Sequence, residues 1–407
     1  MAGLTRDAAE VLAGVARFSA GRLVAVLAAP VRDIAVAEDA LADAFERALR
    51  RWPEDGIPDN PEGWLLRVAR NRLLDVLGSS AHRTSAPLDR AEAVATEDAP
   101  PTDGLADPLL AMLFACAHPA LDPGVRTPLV LQAVFGVDAA RIGTVFAVAP
   151  AAMAQRLVRA KRRIRDTGIP FAVPDAAHRA QRLPAVLEAV YGAYALGGAE
   201  TDRGGAEAIT GEALHLAVLL ADLVPDDPEV LGLAALLSLS LARAPARSAE
   251  WFVPLDEQDA ARWDPRLIEQ GERLLRRAAA LGRSGRFQLE AAIESVHDDR
   301  ARTGRTDLDA LERLYDALAA TAPTLGALVA RAAVVGQAHG AAAGLAALDA
   351  LSDPGLDGFQ TAHATRAHLL AAAGRTDAAR AAYARAAEQA RDPLVRDWLV
   401  ARASALP

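Results

Sequence analysis

The tract Asp138–Arg165, DAARIGTVFAVAPAAMAQRLVRAKRRIR, constrains the chain more than any other. It reads as a short helix, a turn, and a second helix that opens at Pro150 and ends in a basic run. At 100° per residue, Met153, Leu157, Ala160 and Ile164 fall within an arc of about 60°. Gln155, Arg159 and Arg162 land on the opposite face. A helix with one apolar face, Arg and Gln on the other, and a shorter helix before it suits a DNA major groove. DNA binding is therefore the leading expectation.

Composition says what must surround that tract. At 407 residues the chain is long enough for two or three domains with their own cores. Ala, Leu and Arg dominate, and aromatics make up only 4%, so an all-α protein is expected. The net charge of −9 looks wrong for a nucleic-acid binder until it is divided. Residues 1–170 carry 20 basic and 21 acidic side chains, whereas residues 171–407 carry 24 and 32. The acidity belongs to the C-terminal part, and the basic cluster at 156–165 decides. One cysteine, Cys116, excludes an intrachain disulfide framework and suits a reducing cytoplasm. No signal sequence is evident, and Pro225–Glu229 breaks the most apolar stretch, Leu214–Ala242, into halves too short to span a bilayer. A cytoplasmic protein without a membrane segment is expected.

Along the chain, residues 1–78 show three helical patterns, at 7–29, 34–51 and from Pro61 onward. The second carries Arg47, Arg50 and Arg51 in its last turn, as the helix dipole favours. The third has Asn60 as N-cap and Pro61 at its first position. Residues 79–106 are polar and Pro/Thr/Ala-rich and read as a linker. Helical patterning resumes over 107–168. Within 169–407, Gly304, Gly340 and Gly374 stand 36 and 34 residues apart, two of them in near-identical Gly-Arg-Thr-Asp turns. That spacing suggests tetratricopeptide-like (TPR-like) repeats, with Ala379, Tyr383 and Ala386 facing inward, although unrelated helical hairpins stay open.

The first 168 residues resemble the extracytoplasmic-function (ECF) sigma factors of the sigma-70 family, promoter-recognition subunits of bacterial RNA polymerase. Ala37-Glu38-Asp39, then Asp43 and Phe45, are similar to the core-polymerase-binding part of sigma region 2. Pro61, Trp64-Leu65 and Val68-Ala69-Arg70-Asn71 resemble the adjacent melting and −10-reading part. Residues 138–165 are similar to region 4, the helix-turn-helix that reads the −35 element. Leu113–Pro119 and Ala152–Pro174 resemble a subgroup bearing a TPR-like C-terminal extension. The chain departs from the general pattern at Ala42, at Gly78–Arg83 and at Ala154.

The resemblance implies region 2 over 1–78, a linker over 79–106, region 4 over 107–168 and a regulatory helical domain over 169–407. It implies core RNA polymerase and promoter DNA as partners, and a further protein partner through the C-terminal domain. Gln155, Arg156, Arg159, Lys161, Arg162 and Arg163 are the expected duplex-reading residues. Arg reads guanine O6/N7 and Gln adenine N6/N7, while flanking cations hold phosphates. Trp64, Arg67, Arg70 and Asn71 are expected to capture separated strand; Trp64 instead completing the core is the other reading. Glu38, Asp39, Asp43 and Phe45 would dock on polymerase.

No enzyme chemistry finds a home. Lys161 is the only lysine, which leaves no Walker A loop, and Cys116 with His118 lacks a second pair at metal spacing. No cofactor or metal is expected. The leading expectation is a sigma factor. The alternative is a stand-alone helix-turn-helix regulator with a helical sensor domain, which would have no need of residues 34–77.

Overall fold

The computed structural model describes residues 2–84, 107–198, 203–248 and 250–407, and contains helices and turns but no strand among them. The chain divides into two compact units, Met1–Leu219 and Leu220–Pro407.

The first unit opens with α1 (Ala2–Phe18), α2 (Ala20–Val31), α3 (Ile34–Asp55) and α4 (Pro61–Thr84). The single helix expected at 7–29 is two, broken at Ser19, and Pro30 is accommodated in the last turn of α2. Arg32 then takes a left-handed conformation (φ 54°), and Asp33 caps α3 by accepting from the amides of Ala35 and Val36 at 3.0 and 3.3 Å. Asn60 caps α4 as expected, its Oδ1 accepting from the Gly63 amide at 2.9 Å. Leu65, Ala69 and Leu73 are fully buried where α4 packs on α3, while Val68 and Val76 are half-buried. The helix runs six residues into the expected linker, whose remainder, 85–106, lies outside the described residues.

Four helices follow: α5 (Pro108–Cys116), α6 (Pro123–Ala133), α7 (Ala139–Val145) and α8 (Pro150–Thr167). Asp107 and Asp122 each accept the amide two residues on, at 2.8 Å, directly before a proline at N1. This pairing of an acceptor side chain with a pre-set φ starts a helix sharply. Every residue of α5 from Leu109 to Cys116 is buried; of the Leu113–Pro119 stretch, Leu113 to Ala117 lie in the core, His118 is half-buried and Pro119 is exposed. Arg182, from α9 (Ala176–Gly198), is itself buried and donates to the Phe114 carbonyl at 3.1 Å. Residues expected to open the C-terminal domain thus pack with α5 and α6. The unit also takes in most of α10 (Arg203–Leu223).

The second unit is built on α11 (Pro228–Ala242), buried on all sides between α12 (Pro265–Ala280) and α13 (Arg286–Asp298). Gly232 makes this possible, because a Cβ there would lie 2.5 Å from the Gln288 amide nitrogen. The stretch Pro228–Ala246 is long and apolar enough to cross a membrane, but 78% of it is buried inside the protein. A short α14 (Arg300–Thr303) leads into three helix pairs: α15 (Leu308–Thr321) with α16 (Leu325–His339), α17 (Ala341–Asp349) with α18 (Gln360–Ala372), and α19 (Thr376–Gln389) with α20 (Pro393–Ser404). Gly304, Gly340 and Gly374 stand before these pairs. Gly304 and Gly374 share φ near +70°, whereas Gly340 is at 93° with an extended ψ. Ala379, Tyr383 and Ala386 are buried.

Candidate nucleic-acid interface

The turn between α7 and α8 is tightly specified. Asp138 caps α7 by accepting from Ala140 and Arg141, both at 2.9 Å. The chain then folds back so closely that the Val148 amide bonds the Gly143 carbonyl at 2.8 Å. A Cβ on Gly143 would sit 2.6 Å from the Val148 oxygen, so only glycine fits. Ala147 completes the turn in the left-handed region, at φ 51°. Ala149 offers no side-chain cap, leaving the α8 N-terminus to Pro150.

On α8 the expected stripe of Met153, Leu157, Ala160 and Ile164 is buried. Gln155, Arg156, Arg159, Arg162 and Arg163 are exposed. Arg156, Arg159 and Arg163 line a groove whose other wall is the N-terminal turn of α6, from Leu121 to Val125. The sequence reading missed Val158, which is 57% exposed between Gln155 and Arg159. Its signal was available: an apolar side chain off the buried stripe of an otherwise charged face.

Lys161 is the exception among the expected DNA contacts. It is buried, and its Nζ donates to both carboxylate oxygens of Glu38 at 2.6 and 2.7 Å. One full turn after Leu157, Lys161 lies beside the apolar stripe, where its aliphatic stem packs while its ammonium finds a carboxylate. Two further contacts fix this end of α8. Arg165 lies 3.9 Å from Asp33, and Arg32 donates to the Gly168 carbonyl at 3.4 Å. The C-terminal half of α8 is therefore docked on the α2–α3 corner, and its N-terminal half is open. Cys116 lies within electrostatic reach of the pair; burial pushes its thiol up to about 12, opposed by Lys161 and reinforced by Glu38.

The expected polymerase-binding residues divide accordingly. Glu38 is taken up by Lys161, and Asp43 accepts from Arg72 Nε at 2.6 Å. Asp39 is exposed and Phe45 half-buried. Trp64 is half-buried, edge-on to the buried Trp52 at 5.5 Å between centroids, so one side of it packs on the core and the rest stays accessible. Arg67 and Asn71 are exposed and Arg70 half-buried. Trp64, Val68 and Asn71 share a groove with Arg47, Arg50 and Arg51 from the end of α3. Those arginines figured in the sequence only as partners of a helix dipole, and the packing of α3 on α4 brings them to the tryptophan. Among the described residues no group of three His, Cys, Asp or Glu is placed to hold a metal ion.

Comparison with known proteins fits this geometry. Sigma-70 region 2 matches residues 19–83, which span α2 to α4, and a family of unknown function, DUF6596, matches residues 182–279. The probable ECF RNA polymerase sigma factor SigI of Mycobacterium tuberculosis, in two strains, is 33% identical over 156 residues. That match covers 37% of this chain and about half, 52%, of the mycobacterial protein. The chain carries a sigma-70 region 2, which supports its placement in the sigma-70 family. More particularly, it belongs to one family with the uncharacterized protein R00370 of Rhizobium meliloti strain 1021, 36% identical over 371 residues, covering 87% of this chain and 86% of that one. No solved structure matches the chain.

Proposed function

We propose that the chain is an ECF-type sigma factor, a non-catalytic subunit that brings core RNA polymerase to a promoter and assists initiation in the cytoplasm. One observation carries the reading. The exposed face of α8 presents Gln155, Arg159 and Arg162, flanked by Arg156 and Arg163, while α3 and α4 present a second cationic groove around Trp64 and Asn71. A duplex reader and a single-strand trap in one chain suit a protein that holds two promoter elements at once.

In this reading α7 and α8 are the region 4 helix-turn-helix, entering the major groove at the −35 element with the N-terminal residues of α8. Arg159 and Arg162 bond guanine edges, Gln155 bonds adenine, and Val158 packs on a thymine methyl. Arg156 and Arg163 hold phosphates. Region 2 captures separated strand at the −10 element: Trp64 stacks, Asn71 bonds a base edge, and Arg67 and Arg70 with Arg47, Arg50 and Arg51 follow the backbone. Asp39 and Phe45, with Glu38 and Asp43 once their present partners release them, dock on polymerase. The helix pairs of the second unit act as a TPR-like regulatory module toward a protein partner.

Run-off transcription with purified core enzyme tests the reading directly. A promoter-dependent transcript that needs the chain supports it, and none overturns it. Arg159→Ala lowers promoter affinity by about tenfold to a hundredfold, the worth of one bidentate base contact. Salt-independent DNA binding would remove the electrostatic basis of the interface. Deleting residues 220–407 without changing transcription or its regulation would refute the regulatory role.

A further inference from the structure

In the second unit, residues 251–258 follow a path that helix packing does not account for. Phe252, Pro254, Leu255 and Asp256 of this segment form one wall of a cavity of about 520 Å³ whose other walls come from α13, α16, α18 and α20. These are alternate helices of the array, so the chain itself covers part of that face of the repeats.

The occupant is held by three devices. Phe252 stands edge-on to Trp398 at 5.4 Å between centroids. Arg300 donates to the carbonyls of Leu255, Asp256 and Gln258 at 2.7, 3.0 and 2.9 Å, and its guanidinium stacks on Trp263 at 4.9 Å. Arg402 pairs with Glu257 at 2.7 Å while lying over the Trp398 ring at 5.2 Å. Carbonyls grasped by one arginine are recognised as main chain, whatever side chains they bear. The two side-chain anchors, an aromatic and a carboxylate five residues apart, supply the specificity.

The hold is incomplete. Phe252 is still 36% exposed, and no residue of the turn Leu255–Glu257 is buried. Beyond the segment the cavity is lined by Gln337, Thr365 and His368 beside Ala333, Ala364 and Leu369. Its volume lies in the range of ligand sites, with few polar groups converging on an apolar wall.

We propose that this cavity is a binding site for an extended peptide of a partner protein, carrying an aromatic side chain and a carboxylate five residues later, and that residues 251–258 are the resident occupant which the partner displaces. Repeat arrays present such faces to partners. The site stands apart from transcription, so its failure and that of the sigma reading are distinguishable.

The probe is a fluorescein-labelled peptide of the segment itself, EWFVPLDEQD, titrated into the full-length protein by fluorescence anisotropy. The resident copy competes at high effective concentration, so the wild type binds it weakly. Releasing the resident copy with F252A and E257Q together is expected to tighten binding by at least about tenfold, a shift of roughly 1.4 kcal/mol. Adding R402A to that variant is expected to reverse the gain. A peptide in which the same Phe and Glu are replaced by Ala and Gln leaves the protein untouched and is expected not to bind. The proposal is overturned if the released variant, with wild-type circular dichroism and melting, shows no gain. It is equally overturned if the gain survives R402A or the altered peptide binds as well.

Discussion

Two buried ion pairs, one in each unit, use the same chemistry for different ends. Arg243 at the end of α11 pairs with Asp298 at 2.8 Å and with Glu294, all within the core of one helix cluster. Lys161 and Glu38 are separated by 123 residues, and they join the basic helix to a helix that the sigma reading needs elsewhere. Arg243 and Asp298 are both sealed from water. In the other pair Lys161 is 10% exposed at its side chain but Glu38 is 34% exposed. The first arrangement cannot open without unfolding the core. The second has one partner already a third in solvent, and opening it would release a carboxylate that the proposed function assigns to polymerase docking. Desolvation sets the cost of breaking each pair, and only one of the two is cheap.

The largest effect is expected at the sealed site. Arg243→Met removes the cation and leaves Asp298 buried, and Glu294 half-buried, without a counter-charge, costing about 3–5 kcal/mol. Thermal unfolding should show the loss in a transition of the second unit. A loss as small as that of a surface pair would break the contrast. Burial already pushes Asp298 up to about 7 despite Arg243, which pulls the other way. Because the folded state then binds more protons than the unfolded chain between about pH 4 and 7, stability falls as pH rises through that window. Asp298→Asn should flatten this slope.

At the Lys161–Glu38 pair the two single substitutions should differ. Glu38→Ala strands the Lys161 ammonium beside the apolar stripe of α8 and costs about 2 kcal/mol. Lys161→Met fills the same space with an apolar chain and leaves Glu38 to water, so its cost is about 1 kcal/mol or less. Cys116 reports the difference independently. With its thiol pushed up to about 12 by burial, it should resist thiol reagents in the native protein at pH 8. Glu38→Ala should speed its modification more than Lys161→Met. Equal rates and equal losses would show that the pair is symmetric and that neither partner is poised for release.

Which of these features were legible in the sequence depends on how far apart the interacting residues lie. Helix starts were written locally: Asn60-Pro61 and Asp107-Pro108 place an acceptor and a pre-set φ, and Asp138 an acceptor alone, within three residues of the amides they serve. The buried stripe of α8 followed from period alone. The break at Ser19 did not, because apolar residues continue through it and only the packing of α2 on α3 and α5 sets the bend. Lys161 read as a flank because its partner stands on another helix. Arg47, Arg50 and Arg51 joined Trp64 only once α3 lay along α4. The course of residues 251–258 left no trace in periodicity, since Arg300 recognises carbonyls that every sequence has.

The smallest effect is expected at Arg72 and Asp43, which sharpens the comparison from its other limit. Their 2.6 Å contact is as short as that of Lys161 and Glu38, yet both side chains are about two-fifths exposed. If distance governed, Arg72→Ala would cost as much as Glu38→Ala. If desolvation governs, it costs about 0.2–1 kcal/mol, and the loss shrinks in high salt because exposed charges are screened. Double-mutant cycles on the two pairs, run at low and high ionic strength, separate the alternatives. The desolvation account requires the Arg72–Asp43 coupling to vanish in salt while the Lys161–Glu38 coupling persists. It also makes Asp43 available to polymerase at almost no energetic cost, so Arg72→Ala should leave association with core enzyme unchanged where Glu38→Ala weakens it.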